Sequence, residues 1–349
     1  MNLTKVFQKY LSNIFISIVQ QDGEWIIYSK VVKNGILKDK FTKNFDIKEH
    51  DSVPTKMQDY LVKLQDDYSF AYLSVFLDSM GQGAINGISA SDFENNSIDI
   101  KSVTRFDIDK KWSVYASFID LNWIKNLFSD VGIDFIYSPF MVQYSLIKKQ
   151  KTKNKPILYM LNYQDSVTIS VFDSNHLLFG AYFKTTTDDE LSSSDEEDWE
   201  NVEEEESIEN IIDLDGIDDD DIGGTEDLES LNEFDDLDDE TESTDFDERL
   251  PEDSSLGHFD DKNIADESSL ELFGRDVLIY KYLKSSLQEF YTNSLYESSF
   301  IDTIVIFDGY EISSEFIDMI ENELLMDIEM NKVNISDTIC TMARQEALS

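Results

Sequence analysis

Three blocks of apolar residues meet between Pro156 and Lys184. Ile157 to Tyr163, Ser166 to Phe172 and Leu177 to Phe183 are dense in β-branched and aromatic residues, and Asp173-Ser174-Asn175 supplies turn chemistry before the third. The pattern predicts three antiparallel strands in a row. Nearer the start, after a short leading segment from Met1 to Ser12, NIFISIV and EWIIYSKVV predict a hairpin. Its turn is Gln20-Gln21-Asp22-Gly23, where the Asp-Gly pair suits a tight connection. A third strand follows from about Gly35 to Phe45.

The period then changes to that of a helix. Pro54 opens a segment from Thr55 to Gln65 with Met57, Leu61 and Leu64 at spacings of three and four. Tyr68 to Leu77 is an apolar run that reads as a buried strand. Met80 to Asn96, rich in Gly, Ser and Asn, reads as loop around a short strand at Ala84 to Ile88. From Lys111 the pattern sharpens: WSVYASFI as strand, a helix capped by Asp120 and ended by Gly132, IDFIYS as strand, and a helix from Pro139 to Ile147. That alternation predicts an α/β layer. Beyond Leu272 a long helix from Asp276 repeats Tyr280, Leu283, Leu287 and Phe290, and TIVIFDGYEI is a buried strand. A further helix carries Phe316, Ile320 and Leu324, and the tail from Val333 promises a short strand at most.

Charge changes this picture in one place. The chain of 349 residues has 41% hydrophobic residues, enough for two ordinary domains, yet its formal charge is −45. Thr187 to Glu271 holds 39 acidic residues against Arg249 and Lys262, so this insert carries −37 and the rest of the chain −8. Runs such as DEEDWENVEEEE cannot bury enough apolar surface to offset chain entropy, which predicts disorder. Apolar islands interrupt the acid: Ile208, Ile211, Ile212, Leu214 and Ile217, then Leu228, Leu231, Phe234 and Leu237. They suit either a segment that folds on a partner or a charged spacer.

Several chemistries find little support. Gly81, Gly83 and Gly87 have no lysine at P-loop spacing, Gly216 lacks acids at the calcium-loop offsets, and His50, His176 and His258 are scattered. Cys340 is alone, so no cysteine zinc site is expected. Lys148 to Lys155 lacks the aromatic interleaving of a nucleic-acid site and reads as a linker. The longest apolar runs fall well short of the ~20 residues that span a bilayer, and no basic-apolar-small leader appears, which predicts a cytoplasmic chain.

The order of elements resembles the actin-like ATPase superfamily, and within it the cytoplasmic scaffolds PilM of type IV pilus machines and the cytoplasmic part of GspL of type II secretion, with FtsA as a further relative. The resemblance implies two ribonuclease H-like halves, each opening on a three-stranded meander. NIFISIVQQDGEWIIYSKVVKNGILKDKF would open the first, over 1–155, and the Pro156 to Lys184 stretch the second, over 156–186 plus 272–349. The unit at about 111–149 would be the extra subdomain, and 187–271 an added acidic insert.

Active members place an Asp and a Gly on each first hairpin, because backbone N–H groups must approach the phosphates and a carboxylate must hold the metal. Here those positions align with Ser17-Ile18-Val19 and Leu161-Asn162-Tyr163, and the adenosine strand keeps one glycine in Asp308-Gly309-Tyr310. A degenerate nucleotide site made of Ser17, Val19, Leu161, Tyr163, Asp308 and Gly309, without cofactor or metal, is therefore expected.

The resemblance further implies a non-catalytic scaffold, peripheral at the inner membrane, that docks the N-terminal tail of a PilN-like single-pass protein and assembles as a ring. Its host would be a pilus, a secretion platform or a flagellar motor. In PilM-like proteins the tail lies between the first subdomain and the inserted one, which nominates Trp112, Tyr115, Leu121, Ile124 and Phe128 here. An active nucleotide hydrolase and a binder of basic partners acting through the insert are the competing readings.

Overall fold

The computed structural model describes residues 10–47, 52–150, 155–185 and 262–348, with the backbone alone for 262–271. The insert islands and most of the leading segment lie outside the described residues. The first sheet is built from β1 (Ser12–Gln21), β2 (Glu24–Lys33), β3 (Ile36–Asp46), β4 (Phe70–Phe76) and β8 (Phe135–Tyr137), in the order β3-β2-β1-β4-β8. The meander β1 to β3 is antiparallel, and β4 and β8 add in parallel. Both hairpins close in two residues. Asp22-Gly23 has φ of 52° and 69°, and Asn34-Gly35 has 55° and 73°. Two consecutive left-handed residues make the turn whose twist matches that of the strands, and Asp-Gly and Asn-Gly adopt it at little cost.

The second sheet repeats this plan. β9 (Ile157–Tyr163), β10 (Ser166–Asp173) and β11 (His176–Lys184) form a meander, and β12 (Thr303–Asp308) and β13 (Asp327–Lys332) add in parallel, giving β11-β10-β9-β12-β13. Apart from Asp173, every residue of β9 and β10 is buried. The near-continuous apolar runs of the sequence thus belong to strands covered on both faces.

Helices cover the outer face of each sheet. α1 (Thr55–Asp67) turns Met57, Leu61 and Leu64 onto the first sheet, and Phe128 packs there with them. The long helix α5 (Lys262–Thr292) lays Ile279, Leu283, Leu287 and Phe290 on the second, together with Phe316 and Ile320 of α6 (Ser314–Leu324). Between the sheets lies a third cluster, joined by α4 (Pro139–Ile147) and by α7 (Ile335–Leu348).

The helix α7 corrects the expectation of a short strand after Val333. Asn334 caps it, its side-chain oxygen accepting from the Asp337 amide at 2.7 Å. Its buried positions Ile335, Ser336, Thr338, Ile339, Cys340, Met342 and Ala343 occupy more than one face, which erases helical periodicity. The helix packs on β1, β2 and β4 of the first sheet. There the Tyr28 hydroxyl donates to Asp337 at 2.8 Å, Lys30 pairs with Asp337 at 2.7 Å, and the Cys340 thiol donates to the Phe15 carbonyl at 3.2 Å. Burial pushes that thiol up to about 12.

Between β4 and β8 the chain builds a small antiparallel sheet, β5 (Gln82–Ile85), β6 (Val103–Ile108) and β7 (Trp112–Ser117), in the order β5-β7-β6. This differs from a strand-helix-strand-helix unit at 111–149: β7 pairs with β5 and β6, whereas β8 pairs with β4 of the first sheet. The stretch read as loop also holds a helix, α2 (Ala90–Asn95). Ser89 and Asp92 close it as a reciprocal cap, and the bonds from Ser89 hold the Asp92 carboxyl below its ordinary value. The helix α3 (Phe118–Leu127) begins one turn earlier than expected, because Ser117 rather than Asp120 accepts from the Ile119 amide.

Candidate functional site

The β1–β2 turn and the β9–β10 turn face each other across a cleft between the two sheets, and side chains bond across it. The Asp22 amide donates to the Gln164 side-chain oxygen at 2.6 Å. The Tyr163 hydroxyl donates to the Gln20 carbonyl, and its ring stands edge-on to Phe76 at 5.0 Å. At the mouth, the Tyr182 hydroxyl donates to Asp78, whose other oxygen pairs with Lys184 at 2.8 Å. The first sheet thus contributes Gln20, Asp22, Phe76 and Asp78, and the second Tyr163, Gln164, Tyr182 and Lys184.

Arg275 of α5 organises the second side. Its Nε donates to the Gln164 carbonyl at 2.7 Å, and Nη2 donates to the Tyr163 carbonyl at 2.6 Å and to the Asn162 side-chain oxygen. The guanidinium also lies 5.2 Å from the centre of the Tyr310 ring. Burial lowers its pKa from the ordinary value, against the pull of Asp276 and Tyr310. Asn162, fully buried, completes the knot: Nδ2 donates to Asp308 at 3.0 Å and to the Tyr310 carbonyl at 2.9 Å, and its own carbonyl accepts from the Gly309 amide at 2.9 Å.

Three carboxyls around this knot carry raised pKa values, in each case first because of burial. Asp165 is raised further by Asp78, whereas Asp276 is partly restored by bonds from Ser313, and Asp308 by the bond from Asn162. Among the described residues no group of three or more His, Cys, Asp or Glu is arranged to hold a metal.

The nominated residues fall into two sets. Val19, Leu161 and Tyr163 are buried in the cluster between the sheets, and Asp308 and Gly309 are tied to Asn162. A Cβ on Gly309 would meet Ile335 at 2.7 Å, so this glycine serves close packing under α7. Ser17 lies deeper, in mid-strand with no exposure, and takes no part in the cross-cleft contacts named above. Gln164, Arg275, Asp78, Tyr182 and Lys184 escaped the sequence reading. Arg275 and Lys184 carried one signal, as isolated cations flanking an acidic stretch.

A second surface lies beside the cleft. A cavity of about 70 Å³ is lined by Gln20, Trp25, Phe76, Asp120 and Trp123 among others. Next to it Ile119 is 79% exposed, Met80 64%, Phe118 45% and Trp123 44%. Of the nominated partner residues, Ile124 and Phe128 line this cavity, and neither is exposed. Trp112 is fully buried, edge-on to Tyr144 at 5.0 Å and Phe172 at 5.4 Å, and Phe128 is buried edge-on to Trp25 at 5.5 Å. Ile124 is buried, and Tyr115 and Leu121 are partly so. The spacing of Leu121, Ile124 and Phe128 marks the inward stripe of α3, and Ile119 and Trp123, four residues apart, mark an outer one.

Two sheets of identical strand order, with a small sheet inserted in the first half and helices on their faces, make this an α/β chain of the actin-like ATPase fold. It is similar over 97% of its length to a chain of a PilM-PilN type IV pilus biogenesis complex, covering 99% of that chain at 7% identity and a TM-score of 0.51. It is similar, too, to a Bacteroides thetaiotaomicron protein with actin-like ATPase fold and unknown function, covering 97% of each chain at 9% identity and a TM-score of 0.47. Residues 158–348, more than half of the chain, match the family described as Domain of unknown function (DUF8341), and the chain belongs to that family. Residues 10–144 match a second model, Domain of unknown function (DUF8569). No curated protein matches. Among the described residues no helix is long and apolar enough to cross a membrane.

Proposed function

We propose that the chain is a non-catalytic scaffold that docks the N-terminal tail of a PilN-like single-pass inner-membrane protein and assembles in multiple copies on the cytoplasmic face. The observation that carries the reading is the bonded cleft. Where an actin-like ATPase needs room for phosphates between its two first hairpins, Tyr163 and Gln164 bond the opposite turn, and Arg275 holds both of them from behind. A nucleotide would have to break the bond from the Asp22 amide to Gln164 and displace the Tyr163 ring.

The likeness to a PilM-PilN complex supports the choice of partner. On this chain the tail would lie along the outer stripe of α3, on Phe118, Ile119, Trp123 and Met80, an apolar strip beside the cavity that reaches Trp25. A photo-crosslinking residue in place of Ile119 in cells tests this. The reading expects one dominant adduct with a single-pass protein bearing a short cytoplasmic tail. Adducts with soluble proteins alone would overturn it, and deletion of 187–271 is expected to leave the adduct in place.

A further inference from the structure

The end of the first sheet opposite the cleft carries a different chemistry. At the tip of the β2–β3 hairpin, directly after the Asn34-Gly35 turn, Ile36 is 59% exposed and Leu37 46%. Tyr10, 64% exposed, and Leu11, 43% exposed, lead into β1 beside them, because Ser12 pairs with Lys33. Four large apolar side chains therefore gather at one end of the molecule. Lys33 and Lys38, both exposed, flank the aliphatic pair.

The charge of this end is unusual for the chain. From Lys30 to Asn44 there are five lysines against the single acid Asp39, in a protein whose formal charge is −45. Lys30 is engaged with Asp337, and Lys33, Lys38, Lys40 and Lys43 are exposed. The tip is also held firmly: Arg344 of α7 donates to the Gly35 carbonyl at 2.6 Å, and the Asn13 side chain donates to the Leu11 carbonyl at 3.0 Å. An apolar tip held in place from behind needs no ordering when it enters an apolar medium.

From this arrangement we infer that the Ile36-Leu37 tip, with Tyr10 and Leu11, inserts into the interface of an anionic lipid surface, Lys33 and Lys38 meeting the headgroups. Among the described residues four apolar side chains make the patch, against the roughly 20–30 residues a side of a stable protein interface. A lipid interface, by contrast, accepts a shallow apolar tip ringed by lysines whose stems snorkel to the headgroups. The acidic insert does not oppose this at its root. The chain leaves the described fold at Thr185, whose amide bonds the Asp165 carbonyl in the cleft-side turn, about 30 Å along the strands from the tip. That is several times the Debye length of roughly 8 Å at physiological salt.

The inference deepens the membrane-associated part of the proposed function and rests on it only for the choice of anionic inner-membrane lipid. Flotation of the full chain with phosphatidylcholine vesicles, with and without phosphatidylglycerol, tests it. The full chain is expected to float with the anionic vesicles alone. Ile36→Ser/Leu37→Ser should lower that binding roughly tenfold or more, and Lys33→Gln/Lys38→Gln should abolish the lipid preference. Both double variants should keep the parent melting temperature, because all four side chains are exposed. Ile36→Trp provides a second readout, an emission blue shift on anionic vesicles that brominated lipid quenches. A parent chain that stays in the buffer, a serine variant that floats as well as the parent, or an unshifted Ile36→Trp spectrum overturns the inference. Any of these with the Ile119 crosslink intact leaves tail docking standing, whereas lipid binding without the crosslink removes docking alone.

Discussion

The backbone amide of Asp22 donates to the side chain of Gln164 at 2.6 Å, so a turn of the first sheet is bonded to the matching turn of the second. Removing the acceptor frees an amide at an exposed turn, where water replaces it. Gln164→Ala is therefore expected to cost about 1 kcal/mol in urea unfolding. It should also speed hydrogen exchange at residues 22–24 while leaving the outer faces of the sheets unchanged.

Arg275 should matter more. Its side chain is 10% exposed and satisfies two carbonyls and the Asn162 side chain at once. Arg275→Met takes the guanidinium's bonds from the Tyr163 carbonyl and the Asn162 side chain and leaves the Gln164 carbonyl the Thr185 hydroxyl, and is expected to cost about 3 kcal/mol in chemical denaturation. Lysine should recover little of this, since one ammonium cannot reproduce the planar fork.

Two carboxyls should respond to pH in opposite senses. Burial and the neighbouring Asp78 raise the pKa of Asp165, so its ionised form costs stability above that folded value. Asp165→Asn is expected to raise the melting temperature at neutral pH, with the gain vanishing as the pH falls below the folded pKa. Burial alone would raise Asp337 as well, but bonds from Lys30 and Tyr28 carry it below the ordinary carboxylate value. Its contribution is present above the unfolded pKa and is lost as pH falls through the lower folded one. Asp337→Asn should thus lower the melting temperature at neutral pH, and the deficit should close in acid.

The two stripes of α3 allow the proposed docking to be tested apart from folding. Phe118→Asp and Trp123→Asp alter exposed positions and should shift stability by about 0.5 kcal/mol or less while abolishing the membrane-protein adduct of the crosslinker at position 119. Phe128→Ala empties a buried site against Trp25 and should cost about 3–5 kcal/mol.

How far the sequence foretold this structure depends on the range of the cause. Asp22-Gly23 and the blocks of β9 to β11 announced their hairpins because turn chemistry and strand composition act locally. Pro139 marked α4 for the same reason. The helix α7 stayed hidden because Thr338, Cys340 and Met342 are all buried, and a helix covered on several sides has no polar face to set its period. The contact between the two turns was legible in half: the sequence pattern singled out Leu161 and Tyr163, and both are buried between the sheets. The residues that bridge it come together over separations of 142 residues for Asp22 and Gln164 and 143 for Gln20 and Tyr163, which no local pattern encodes.

Equilibrium dialysis of the full chain against a labelled, non-hydrolysable ATP analogue with magnesium tests the bonded cleft most directly. The account predicts no saturable binding and no release of phosphate from ATP itself. Tight binding that unlabelled ATP displaces, and that substitution at Ser17 or Leu161 abolishes, would contradict it.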